Sequence, residues 1–152
     1  MYQRVLFATD GSAFAEAALA DAIEMARMAA GEMRVVTVVE APAFHGTPEA
    51  TVLYETEMYK SLVEELEKIA RAAVERAAYH ARARGVQCST AIRHGLPADE
   101  ILAEAKDWRA DAIVLATHGR SGLGRLFVGS VASKVVHHAT CPVLLHRAAP
   151  TE

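Results

Sequence analysis

Two rhythms of apolar residues run along this chain, and the switches between them mark its strands and helices. Val5-Leu6-Phe7-Ala8 is a short unbroken apolar run ending at Thr9-Asp10-Gly11-Ser12. Such a run predicts a strand buried on both faces. Apolar positions then recur at helical spacing, with Phe14, Ala18 and Ala22 on one line and Leu19, Ile23 and Ala26 on the next. Ser12 is placed to cap that helix and Gly31 to stop it. Met33 to Val39 is rich in β-branched residues and predicts a second strand, parallel to the first because a helix intervenes.

From Ala41 to roughly Glu55 the periodicity is lost among Pro42, Gly46 and Pro48, which predicts a long loop. A long helix is expected from about Thr56 to Gly85. Tyr59, Leu62, Val63, Leu66, Ile69, Ala70, Ala73, Val74 and Ala77 recur at threes and fours, with charged residues on the other face. Val86 to Ile92 alternates like a strand with one partly exposed face. Gly95-Leu96-Pro97 turns the chain into a helix carrying Asp99 and Glu100 in its first turn and Ile101, Leu102 and Ala105 inward. Ala112-Ile113-Val114-Leu115 reads as a buried strand, Val131, Val135 and Ala139 as a helix stripe, and Cys141 to His146 as a strand begun by proline and so at a sheet edge. The pattern is five strands alternating with four helices, in one domain spanning residues 1–152. That is a doubly wound α/β fold: a five-stranded parallel sheet with helices on both faces.

The winding places the chemistry. Reversal after the third strand sets the first and fourth strands side by side, and ligands in such sheets bind beyond the strand C-termini at the reversal. Asp10 and the loop after the fourth strand then face one crevice. That loop, Ala116 to Ser130, carries Gly119, Gly122, Gly124 and Gly129 and leads into a helix. A helix N-terminus offers free N–H groups and partial positive charge, and glycines let backbone approach an anion. Arg120 and Arg125 add cationic side chains suited to phosphate oxygens. A nucleotide site is the expectation. Asp10 suits ribose hydroxyls or a cation such as Mg²⁺ better than bare phosphate, and Ser130 is placed to serve as N-cap and phosphate donor.

Composition narrows the field. A formal net charge of −3 gives no general attraction for nucleic acid or acidic lipid. No apolar run approaches the roughly 20 residues that span a bilayer, and Met1 to Phe7 has no signal-peptide pattern. Cys88 and Cys141 form no metal or redox pair, which fits reduced thiols in a cytoplasmic protein. The seven histidines lack metal-ligand spacing, His137 and His138 being adjacent and pointing apart on a helix. His118 lies in the loop, where a structural hydrogen bond is the expected role. There is no Gly-x-Ser-x-Gly elbow and no Walker lysine–serine pair.

Taken together, the strand–helix order, Thr9-Asp10-Gly11-Ser12, Gly95-Leu96-Pro97, the loop from Thr117 to Ser130 and the closing Cys141-Pro142-Val143-Leu144-Leu145 resemble a universal stress protein along the whole chain. The ATP-binding branch of that family carries Gly, two residues, Gly, nine residues, then Gly followed by Ser or Thr. Here Gly119, Arg120 to Val128, and Gly129-Ser130 match, while Ala116 stands at the first glycine. The resemblance implies a Rossmann-like, adenine nucleotide alpha hydrolase-like fold and a stress-response protein that binds ATP or AMP, with or without Mg²⁺. It places Ala8, Thr9 and Asp10 by the adenine and ribose and Val38 at the base through its backbone. Gly119, Gly129, Ser130 and Val131 would hold the phosphates, and Ala116, Thr117, His118 and Arg120 would complete the nucleotide site. It also implies a homodimer through the final strand, residues 142–146, and a protein partner that the sequence does not name.

Two rival functions stay open. One is a dimer of the non-nucleotide branch acting through protein partners, which Ala116 favours and Gly119, Gly129 and Ser130 oppose. The other is slow ATP hydrolysis or autophosphorylation at Ser121 or Ser130, for which no general base is visible nearby. Adenylating chemistry would need a glycine-rich loop after the first strand, and Thr9 to Ser12 is not one.

Overall fold

The computed structural model describes residues 1–41, 48–118 and 128–147. Within them the order is β1 (Arg4–Ala8), α1 (Ala13–Met28), β2 (Glu32–Val39), α2 (Pro48–Tyr54), α3 (Glu57–Ala83), β3 (Gln87–His94), α4 (Pro97–Asp107), β4 (Ala112–Ala116), α5 (Ser130–His138) and β5 (Val143–His146). All neighbouring strands pair in parallel, in the order β3-β2-β1-β4-β5. The first and fourth strands are therefore adjacent and the fifth lies at an edge, as the sequence pattern requires.

Because β1 is central, its side chains alternate between two cores. Val5 and Phe7 join Ala18, Ile23, Met33, Val35, Val74 and Ala78 under α1 and α3. Leu6 and Ala8 join Val36, Ile101, Trp108, Ile113, Leu115 and Val135 under α4 and α5. Each large apolar side chain fully removed from water contributes roughly 1.5–3 kcal/mol, so the unbroken apolar run at β1 stabilises both layers at once. Helix ends follow local chemistry. The Ser12 hydroxyl accepts from the Ala15 N–H at 3.3 Å, Pro97 opens α4, and Gly85 follows α3 at φ +79, in the left-handed conformation glycine tolerates.

Four local expectations are corrected. Residues 48–54 form α2 rather than loop, so the described residues contain five helices. The helix is short, and its Val52 and Leu53 are exposed, which erases any inward stripe. Tyr54 meets Tyr59 edge to face at 4.9 Å, linking α2 to α3. Second, Phe14 is 38 % exposed, and the inward position in the first turn belongs to Ala15. Third, Leu62 and Ile69 of α3 are exposed, because burial on that helix begins at Ala70. Fourth, α1 ends at Ala29, and Ala30 takes the positive φ of +50. Gly31 is needed for closeness: a Cβ there would lie 2.5 Å from the Gln3 carbonyl oxygen.

Candidate functional site

A cleft of about 460 Å³ opens at the C-terminal ends of β1, β2 and β4. Its β1 side is fixed by backbone bonds. Thr9 N–H donates to Val36 O at 3.0 Å, and Thr9 O accepts from the Thr37 hydroxyl at 2.6 Å. The turn that follows is held by its own side chains: Gly11 N–H donates to Thr9 Oγ1 and Ser12 N–H to Asp10 Oδ1, at 3.0 and 2.9 Å. Gly11 sits at φ +77, so a side chain there would be strained. Asp10 is thereby oriented at the cleft before any ligand arrives.

The opposite side is built by β4 and α5. Thr117 N–H donates to His146 O at 3.0 Å, tying the end of β4 to β5. Thr117 Oγ1 contacts His118 Nδ1 at 3.0 Å. Gly129 N–H donates to Thr117 O at 2.7 Å and so holds the start of α5 against the end of β4. Ser130 is not the N-cap. Gly129 holds that position, with no side-chain cap, and Ser130 is the first helical residue. Ser133 N–H takes the Gly129 carbonyl at 2.9 Å. The N–H groups of Ser130, Val131 and Ala132 therefore have no acceptor within the helix, and all three residues line the cleft.

Of the residues selected from the sequence, Ala8, Thr9, Asp10, Val38, Ala116, Thr117, His118, Gly129, Ser130 and Val131 line this one cleft. Gly119 and Arg120 lie outside the described residues, as do Ser121 and Arg125. The cleft also takes Glu40, Leu66, Ile69, Pro97 and Ile101, which the sequence reading did not select. Leu66 and Ile69 were visible as inward positions on the long helix, and Pro97 as a turn residue. What the pattern lacked was the third dimension, which sets α3 and the start of α4 across from β2. Among the described lining residues there is no lysine or arginine. An anion here meets backbone N–H groups and the α5 dipole, and the fixed side-chain charges, Asp10 and Glu40, are negative.

Among the described residues no three His, Cys, Asp or Glu side chains are grouped to hold a metal ion. His94 contacts Glu67 at 2.7 Å and His146 contacts Asp21 at 2.5 Å. His137 and His138 bond backwards to Ser133 O and Lys134 O of their own helix. No helix of the described residues is long and apolar enough to cross a membrane.

A carboxylate and an uncapped helix N-terminus thus meet where the winding of this doubly wound α/β sheet reverses. The chain belongs to the universal stress protein family, whose model matches residues 1–147. It is similar to a universal stress protein of Methanocaldococcus jannaschii, 32% identical over 145 residues that cover 95% of this chain and 82% of that one. Among solved structures it resembles the universal stress protein UspA of Lactobacillus plantarum, with a TM-score of 0.83, 28% identity and coverage of 96% and 98%. It also resembles a universal stress protein solved in complex with cAMP, with a TM-score of 0.70, 25% identity and coverage of 97% and 99%.

Proposed function

We propose that this protein binds an adenine nucleotide, ATP or AMP, between the end of β1 and the start of α5. The observation that carries the reading is that Asp10 and the acceptor-free first turn of α5 line one cleft. In this reading the ribose hydroxyls donate to Asp10, the base lies against the backbone of Val38, and the phosphates take the N–H groups of Ser130, Val131 and Ala132 with the Ser130 hydroxyl. Gly129 contributes shape, since its own N–H is held by Thr117 O. The crystallised relative with cAMP supports the chemical class of ligand. The test is an amide NMR titration with AMP. The expected result is saturable shifts at Asp10, Val38, Ser130 and Val131. No saturation, or shifts confined to other surfaces, overturns the reading.

A second reading concerns assembly and has its own observation. The free edge of β5, Val143–His146, is partly exposed along its whole length and follows Pro142. Unpaired strand edges attract further strands. The edge is proposed to pair with that of a second copy through residues 142–146. Sedimentation equilibrium tests it: a mass of two chains is expected, and a single-chain mass across the concentration range contradicts it.

A further inference from the structure

On the face of the sheet away from α4 and α5, α1 and α3 flank a second cavity of about 310 Å³. Phe7, Leu19, Ile23 and Ala77 form an apolar floor, each nearly inaccessible to water. The rim is charged. Arg76 and His80 lie one turn apart on α3, so they share one helix face; Arg84 is the residue that caps its C-terminus, and all three line the cavity with Glu16 of α1 opposite. Glu16 is taken by Arg76 at 3.0 Å. The side chains of His80 and Arg84 make no hydrogen bond or ion pair among the described residues, and the His80 ring meets Tyr79 edge to face at 5.7 Å. The carboxylate whose field Arg84 reaches, Glu24, is already held by Arg27 at 2.6 Å.

An apolar floor under an arginine and an imidazole, neither engaged by a carboxylate, suits one class of ligand. We propose that this groove is a second binding site, for a small amphiphile bearing one carboxylate. Its hydrocarbon part lies on Phe7, Leu19, Ile23 and Ala77, and its carboxylate lies between His80 and Arg84. The groove's volume is near the lower end of the roughly 300–1,000 Å³ typical of small-molecule sites, so the ligand is small. A neutral or cationic analogue gains the floor but not the rim. Thr9 and Ala73 line both cavities, so the groove adjoins the first cleft, but Glu16, Arg76, His80 and Arg84 line the groove alone, and the proposal does not depend on a nucleotide in that cleft.

The test uses sodium octanoate as the probe, followed through the amide NMR spectrum of the full chain, with octan-1-ol as the neutral control. Saturable shifts are expected at Ala20, Ile23, Ala77 and Arg84, with Ser130 and Val131 unmoved. Arg84→Gln should weaken octanoate about tenfold, the scale of one charge-assisted hydrogen bond, and leave octan-1-ol unchanged. His80→Ala provides an independent second variant, and each variant's own spectrum reports its fold. The proposal is overturned if octanoate does not saturate these shifts, if octan-1-ol binds equally well, or if neither variant weakens octanoate.

Discussion

Gly129 N–H donates to the Thr117 carbonyl at 2.7 Å, and a Cβ on Gly129 would stand 3.0 Å from that same oxygen. The contact joins Thr117, the residue after β4, to the N-cap of α5. Gly129 has φ −59, so its requirement is closeness and not an unusual backbone conformation. Gly129→Ala is therefore expected to push Thr117 and residue 129 apart by a few tenths of an ångström, costing about 1 kcal/mol of stability, the lower end for overpacking. Urea denaturation measures this. The same variant should weaken nucleotide binding, because the first turn of α5 shifts with its cap.

Gly31 makes the sharper case. Its Cβ would lie 2.5 Å from Gln3 O and 2.6 Å from Gln3 Cα, both backbone atoms of a neighbouring segment. Neither can yield without disturbing the Glu32 N–H to Gln3 O bond of 2.7 Å that starts the β1–β2 ladder. Gly31→Ala is expected to destabilise the protein by about 3 kcal/mol, the upper end for overpacking. Gly85→Ala meets no atom within 4 Å and should lose only the smaller cost of its positive φ. Comparing the two by thermal unfolding separates steric from conformational need for glycine.

These two positions also show how far a sequence can be read. Gly85 was legible as a helix stop, because the reason is local: a residue past the last turn must adopt φ above zero. Gly31 was legible as a boundary but not for its true cause, since Gln3 is distant in the chain. The same limit explains the cleft. Asp10 and Ser130 could be paired because the winding rule fixes which strands are neighbours. Leu66 and Ile69 could not be seen as lining residues, because where α3 overhangs the sheet depends on packing rather than on periodicity. Helix α2 was missed for a third reason: its exposed Val52 and Leu53 carry no amphipathic signal.

Glu104 is a buried acid shared by two arginines. It is 5 % exposed and accepts from Arg34 at 2.9 Å and Arg93 at 3.2 Å. Arg34 also lies over the Trp108 ring at 4.9 Å, and Arg93 reaches Glu100 and Asp107. Removing the shared carboxylate leaves two guanidinium groups facing each other. Glu104→Ala is expected to cost about 3 kcal/mol, as for breaking a buried pair, and denaturant unfolding measures it. Glu104→Gln keeps an acceptor and should cost less.

The two thiols should differ in accessibility but share low reactivity. Burial pushes the Cys88 thiol up to about 11, and burial, with Asp111 adding to it, raises Cys141 as well. Both are therefore neutral thiols at pH 7, and the thiolate is the reactive form. Iodoacetamide should modify half-buried Cys141 slowly and buried Cys88 only on unfolding, with rates that rise with pH. Mass spectrometry of timed samples checks the order. Rapid labelling of Cys88 in the native protein would contradict it.

The fixed acidic side chains of the cleft predict a cation effect. Asp10 and Glu40 line it, and no described lining residue is a lysine or arginine. ATP carries more negative charge than AMP, so Mg²⁺, which would offset that charge beside the acidic lining, should strengthen ATP binding by about tenfold and AMP binding little. Binding isotherms with and without EDTA measure the difference.

The most direct measurement is isothermal calorimetry with ATP and Mg²⁺ on the native chain and on Gly129→Glu, which sets a carboxylate and its bulk at the cap of α5. One saturable site per chain is expected in the native protein, with its loss in the folded variant. No saturable heat in the native protein, or equal affinity in both, would contradict a nucleotide cradle formed by β1 and α5.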